Sequence, residues 1–188
     1  MRKNKTSNSY LPNFLAIRYI TMTHKLIYTS KVNKVSQKIE TIKAFAMLGF
    51  DRLDRVTKDL TEEQLDWKSC KEANTIRWIM THLSSELHTF IPKIIKGDKD
   101  YMPKGWPEDY VGNKSYSLKK IKDDIKDGKE KFVKTLDSLT EADLEEPLDW
   151  FYGKQPKQMY LMLAVSEILH HEGQIAAILG VEKRMKGT

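Results

Sequence analysis

Four long segments, in which apolar residues return every three or four positions, organise this chain around two echoing connectors, Leu60-Thr-Glu-Glu-Gln-Leu65 and Leu139-Thr-Glu-Ala-Asp-Leu144. That period gathers apolar side chains on one face of an α-helix, and a chain patterned this way buries itself helix against helix. The first segment, Lys34 to Leu60, aligns Val35, Ile39, Ile42, Phe45/Ala46, Leu53 and Val56. The second, from Asn74 to Ile95, aligns Ile76, Ile79/Met80, Leu83, Leu87, Phe90/Ile91 and Ile94; Pro92 is expected to kink its last turn and Gly97 to stop it. The third, Leu118 to Leu139, sets Ile121, Ile125, Phe132 and Leu136 against a Lys/Asp face that reads as solvated surface. The fourth carries Pro156 in its first turn and is expected to end at Gly180. No stretch alternates with period two between hairpin turns, so the expected class is all-α.

The first connector pairs Thr61 with Gln64 in the manner of a capping box. Each connector sits between a charged amphipathic helix and a more apolar one, so the chain reads as two helix-connector-helix halves. Residues 97 to 116 join them, and two prolines, three glycines and four aromatics there exclude a regular element. A loop of this length is a crossover, a lid or both, with its aromatics either pinning it to the helices or lining a pocket mouth.

Charge narrows the functional classes. The net charge is +6, yet eight of the 32 Lys and Arg residues lie within residues 1 to 39, where there is no acid. The remainder carries 24 basic against 26 acidic residues, a balance that argues against the clustered basic face phosphate binding needs, and no nucleic-acid partner is expected. Residues 1 to 33 are read as a poorly packed basic extension and residues 34 to 183 as the folded domain. Residues 1 to 23 fit either a basic targeting segment or a true start at Met22. No apolar run reaches about 18 residues, so no membrane span is expected, and the single Cys70 suits a reducing cytoplasm.

The chemistry concentrates in Val165-Ser-Glu-Ile-Leu-His-His-Glu-Gly-Gln-Ile175. Residues four apart share a helix face, so Glu167 and His171 project together from the stripe of Ala164, Ile168, Ile175 and Ile178. His170 lies about 100° around the helix, beside Ser166 and Gln174. His82 stands at the edge of the second segment's apolar face, one turn before Glu86. If the halves pack as a four-helix bundle, the second and fourth helices bring these groups together inside it. His82, Glu167 and His171 would then offer two nitrogens and one oxygen to zinc or nickel, or to iron or manganese. The same residues also read as hydrogen-bonded core histidines without metal.

Thr75-Ile-Arg-Trp-Ile-Met-Thr-His-Leu83, the preceding Leu-Thr-Glu-Glu-Gln-Leu-Asp-Trp and the closing Ile168-Leu-His-His-Glu-Gly-Gln-Ile175 together resemble the DinB/YfiT-like superfamily over residues 35 to 180. The resemblance implies a four-helix bundle of up-down-down-up connectivity, with the long crossover between helices two and three. It also implies a divalent metal held by three histidines, matched here by His82 and His171, with Glu167 standing at the middle position. Glu86, His170 and Gln174 are then supporting residues or alternative ligands, and Trp106, Tyr110 and Trp150 candidates for the substrate entrance. The implied activity is that of a metal-dependent transferase or hydrolase on a small molecule, such as transfer of a low-molecular-weight thiol, by a cytoplasmic homodimer. The rival reading is a non-catalytic helical module for binding or stress response.

Overall fold

The computed structural model describes residues 36–187, and these are mostly helical. Helix α1 (Gln37–Val56) starts where Ser36 Oγ accepts the Ile39 N–H, and it buries Ile39, Ile42, Ala46, Gly49, Phe50 and Leu53. Val35 and the expected basic extension lie outside the described residues. The single turn α2 (Glu62–Leu65) carries the expected capping box of Thr61 and Gln64. Its counterpart α6 (Glu141–Glu145) has one too, between Thr140 and Asp143.

The second long segment begins at the Thr75 cap as α3 (Ile76–Ser85), widens into a π-helical turn (Glu86–Phe90) and continues as α4 (Ile91–Lys96) to Gly97, at φ 68°. Within the π turn the Ile91 N–H reaches Glu86 O, five residues back. The distortion expected at Pro92 takes this form. Proline gives no N–H to the His88 carbonyl and its ring presses on that carbonyl, so a wider turn before it relieves both.

After the crossover, α5 (Leu118–Ser138) is capped by Ser117 and buries Leu118, Ile121, Ile125, Gly128, Phe132 and Leu136. Gly128 is a point of close approach, since a Cβ there would sit 2.7 Å from Leu87 Cβ. A short antiparallel hairpin follows, β1 (Pro147–Trp150) paired with β2 (Gly153–Pro156), Leu148 opposite Gln155. The hairpin corrects the expectation of none. Its strands are four residues long and close on Pro147 and Pro156, and β1 carries only Leu148 and Trp150 inward, too few to register as alternation.

Helix α7 (Lys157–Lys186) does not end at Gly180 as expected but runs to Lys186, where Gly187 closes it at φ 72°. Glycine inside a helix costs about 1 kcal/mol, and tertiary contacts offset it. Glu182 is buried and accepts from Gln64 at 2.9 Å and from Lys186 at 2.7 Å. Helix α7 packs against α1, α3, α4 and α6, and α5 packs against α1, α3 and the π turn. A helix with neighbours on several sides has to be apolar over most of its circumference. Leu65, Ile76, Ile94, Ile121, Leu136, Leu144, Tyr160, Val165 and Ile175 are fully shielded in the core between the helices.

The crossover has no regular element and is pinned by specific contacts. Gly112 N–H donates to Thr81 Oγ1 at 2.8 Å, and the Tyr110 hydroxyl donates to Asp124 at 2.6 Å. Trp106 stacks on His88 with ring centres 4.4 Å apart. Arg77, itself buried, forks onto Asp66 at 2.9 and 3.0 Å and donates to the Tyr116 carbonyl at the loop's end.

Candidate metal centre

The second long helix repeats a four-residue step along one side, Trp78, His82, Glu86 and Phe90. His82 falls in α3 and Glu86 opens the π turn, so both face α7, which passes alongside with Glu167 and His171. Trp78 lies flat on His82, ring centres 4.9 Å apart and planes within 15°, and this stacking fixes the imidazole plane. The His82 and His171 rings meet edge to face at 5.0 Å.

One ligand atom each from His82, Glu86 and His171 falls within 4.8 Å of the others. His82 Nε2 is 3.4 Å from Glu86 Oε1, and His171 Nε2 is 3.5 Å from Glu167 Oε2. Glu86 thus shares the tight cluster, while Glu167 stands beside His171 with its side chain 42% exposed. Of the supporting residues, Gln174 accepts from His171 Nδ1 at 2.8 Å and donates to His170 Nε2 at 2.9 Å. An amide oxygen only accepts, so the Nδ1 of His171 carries the proton and its Nε2 keeps a lone pair facing the cluster.

The three aromatics expected at an entrance separate in space. Trp150 packs at a tilt against Phe90, four residues beyond Glu86, with centres 5.0 Å apart. Trp106 and Tyr110 pack together at 4.7 Å on the α5 side, against His88 and Asp124. Trp78 and Phe90 escaped the sequence reading as site residues. The signal was present in their four-residue spacing from His82 and Glu86, which continues the stripe in both directions.

Electrostatics give each group a defined state. Burial lowers the His82 pKa, the neighbouring His171 lowers it further, and Glu167 acts in the opposite sense. Burial likewise lowers that of His171, against its hydrogen bond to Gln174 and the charge of Glu167. Both imidazoles are therefore neutral near pH 7 and free to donate lone pairs. Burial, then the charge of Glu167, pushes the Glu86 carboxyl up to about 8.

These residues fit a divalent cation. His171 Nε2 and Glu86 Oε2 are buried without a hydrogen-bond partner, an arrangement that costs about 1–3 kcal/mol per group unless something else satisfies it. A tetrahedral ion with bonds of about 2.0–2.1 Å holds its donors roughly 3.3–3.4 Å apart, close to the separations of the two His-Glu pairs. Nitrogen and carboxylate donors suit zinc, nickel, iron or manganese.

A helical scaffold that turns two neutral histidines and a buried carboxyl toward one point defines a class of protein with a metal-competent interhelical site. A family model described as the DinB superfamily matches residues 48–175, and the chain belongs to that superfamily. No curated protein and no solved structure matches it significantly. Among the described residues no helix is long and apolar enough to cross a membrane.

Proposed function

We propose that this protein is a divalent-metal-dependent enzyme that activates a small nucleophile, in the first place a low-molecular-weight thiol, for transfer to an electrophile. Activation of water for hydrolysis is the variant of that chemistry open to the same donors. The observation that carries the reading is the lone pair of His171 Nε2, buried and unpartnered beside His82 and Glu86. Zinc or nickel is the favoured ion, with iron or manganese admitted by the carboxylates.

When bound, such an ion supplies the positive charge that keeps a thiol deprotonated near neutral pH. In this proposal His82 and His171 provide nitrogen, Glu86 provides oxygen, and Glu167 lies beside His171 as a further donor. Gln174 holds the His171 tautomer, as second partners of metal-ligating histidines commonly do. His170, on the other end of the same amide, restrains Gln174. Trp78 keeps the His82 ring in plane. Trp150 and Phe90 form an apolar wall beside Glu86, at the proposed entrance.

The same reading takes α1, α3 with α4, α5 and α7 as a four-helix bundle of up-down-down-up connectivity, supported by their mutual packing and by the long crossover between the second and third. A homodimer in the cytosol completes the proposal. Exposed Leu48 on α1 and Met162 on α7 provide apolar surface for the dimer.

The test is elemental analysis of protein purified without chelator, together with the rate at which it couples cysteine to an alkyl halide with and without added zinc or nickel. Bound metal and a metal-dependent rate support the proposal. Metal-free protein whose melting temperature and coupling rate respond to neither ion rejects it, in favour of a non-catalytic module with satisfied core histidines.

A further inference from the structure

Beside the metal cluster stand a carboxylate without a basic partner and a rigid tip of exposed aromatic rings. Glu167 is half-exposed, and neither it nor Glu86 pairs with a Lys or Arg among the described residues, each meeting only a histidine. The charge of Glu167 bears on His82, Glu86 and His171 alike. The buried, unpartnered Nε2 of His171 is aimed into the same cluster. A divalent cation there is cancelled by the two carboxylates, and a bound thiolate leaves the cleft with one negative charge in excess.

The aromatic side begins one helical turn beyond Glu86, where Phe90 meets Trp150 at 5.0 Å and Phe151 at 6.0 Å between ring centres. Phe151 and Tyr152 at the hairpin tip are exposed, although the tip itself is held in place. The Tyr160 hydroxyl donates to the Gly153 carbonyl at 2.7 Å and accepts the Tyr152 N–H at 3.3 Å. Contiguous apolar surface that the fold leaves open marks a place for a ligand. Aromatic faces also attract cations, quaternary ammonium groups among them.

Charge and span together select the ligand. A helical turn rises about 5.4 Å, so the acidic cluster and the first ring lie within the reach of one small arylalkyl cation. We propose that the cleft between Glu167 and the hairpin binds an acceptor with an aromatic or apolar body and a positive charge, the charge at Glu167 and the body against Phe90, Trp150 and Phe151. The subsite stands on these side chains alone, and its assignment to the acceptor rests on the thiol activation proposed above. In that transfer the thiol sulfur forms a bond to the acceptor's carbon as the carbon–halogen bond of a model alkyl halide breaks. The halide leaves with the electron pair, and the thiol proton passes to solvent.

Calorimetric titration of the metal-stripped full chain with benzyltrimethylammonium, benzyl alcohol and phenylmethanesulfonate tests the subsite without reference to turnover. The cation is expected to bind one per chain, about three- to tenfold tighter than the alcohol, with the sulfonate weakest. Glu167→Gln should bring the cation close to the affinity of the alcohol. Phe151→Ala should weaken cation and alcohol together while the helical signal persists. In zinc-loaded protein the cation should compete with the alkyl halide, and not with cysteine, in the coupling reaction. Cation binding to the stripped chain without any coupling by the zinc-loaded one rejects the thiol reading and keeps the subsite. Sulfonate binding as tightly as the cation, a cation preference that survives Glu167→Gln, unchanged binding in Phe151→Ala, inhibition competitive with cysteine, or self-association through the tip in place of ligand uptake would each overturn the assignment.

Discussion

Replacing Glu86 with glutamine separates what its carboxyl costs the fold from what it offers a cation. The side chain is 15% exposed, one of its oxygens has no partner, and its pKa is pushed up to about 8 from an ordinary 4.5. A folded-state pKa above the unfolded value means that the folded chain binds more protons. Stability therefore falls as pH rises through the window from 4.5 to about 8 and levels off above it. At about 1.4 kcal/mol per unit, the ceiling on the penalty is roughly 3 kcal/mol at pH 7 and 5 kcal/mol above pH 8. Water entry and side-chain relaxation bring the measurable part to about 1–3 kcal/mol. Glutamine keeps the shape and loses the titration. Metal-stripped Glu86→Gln should therefore match the parent near pH 4.5 and exceed its stability by that amount at pH 9, in urea titrations followed by helical circular dichroism. Saturating zinc should reverse the order, because the ion stabilises the parent according to its affinity and the variant much less. A metal-stripped variant less stable than the parent at pH 9, or parallel pH profiles, would show that the ionised Glu86 carboxyl carries no burial penalty.

Zinc affinity should weaken about fifteenfold in all as pH falls from 8 to 6.5, because the ion displaces one proton from Glu86, while burial keeps His82 and His171 largely neutral in that window; chelator competition across pH would read this change. Gly128→Ala should destabilise the protein by about 1–2 kcal/mol, since the 2.7 Å approach to Leu87 outweighs alanine's helical advantage of about 1 kcal/mol. A raised denaturation midpoint would mean that α5 gives way there. Glu167→His should tighten zinc about tenfold by placing a third imidazole, one turn before His171, and unchanged affinity would put Glu167 outside the donor set.

The helices were legible in the sequence because their information is local. Ile121, Ile125, Phe132 and Leu136 mark the buried face of α5 by spacing alone, and the Thr61 and Gln64 cap needs only neighbours in the chain. What escaped depends on groups distant in sequence or on backbone adjustment. The last turns of α7 survive Gly180 because Gln64 reaches Glu182 across 118 positions. The hairpin is too short to carry a period. At the site, spacing identified Glu167 as the carboxylate beside His171, and the 3.5 Å separation fits that view. The nearness of Glu86 to both histidines required the placement of two helices and the π turn before Pro92, which no single-helix wheel contains. The pairing of Trp106 with His88 likewise depends on the path of the crossover.

A competition titration of zinc against a chromophoric chelator at pH 8, on metal-stripped protein and on His82→Ala and His171→Ala, decides whether the two histidines hold a metal together. One zinc per chain is expected, with affinity falling at least about a hundredfold in each variant, beyond the usual effect of losing a supporting partner. Zinc that fails to bind the parent stoichiometrically, or that binds either variant as tightly as the parent, would contradict it.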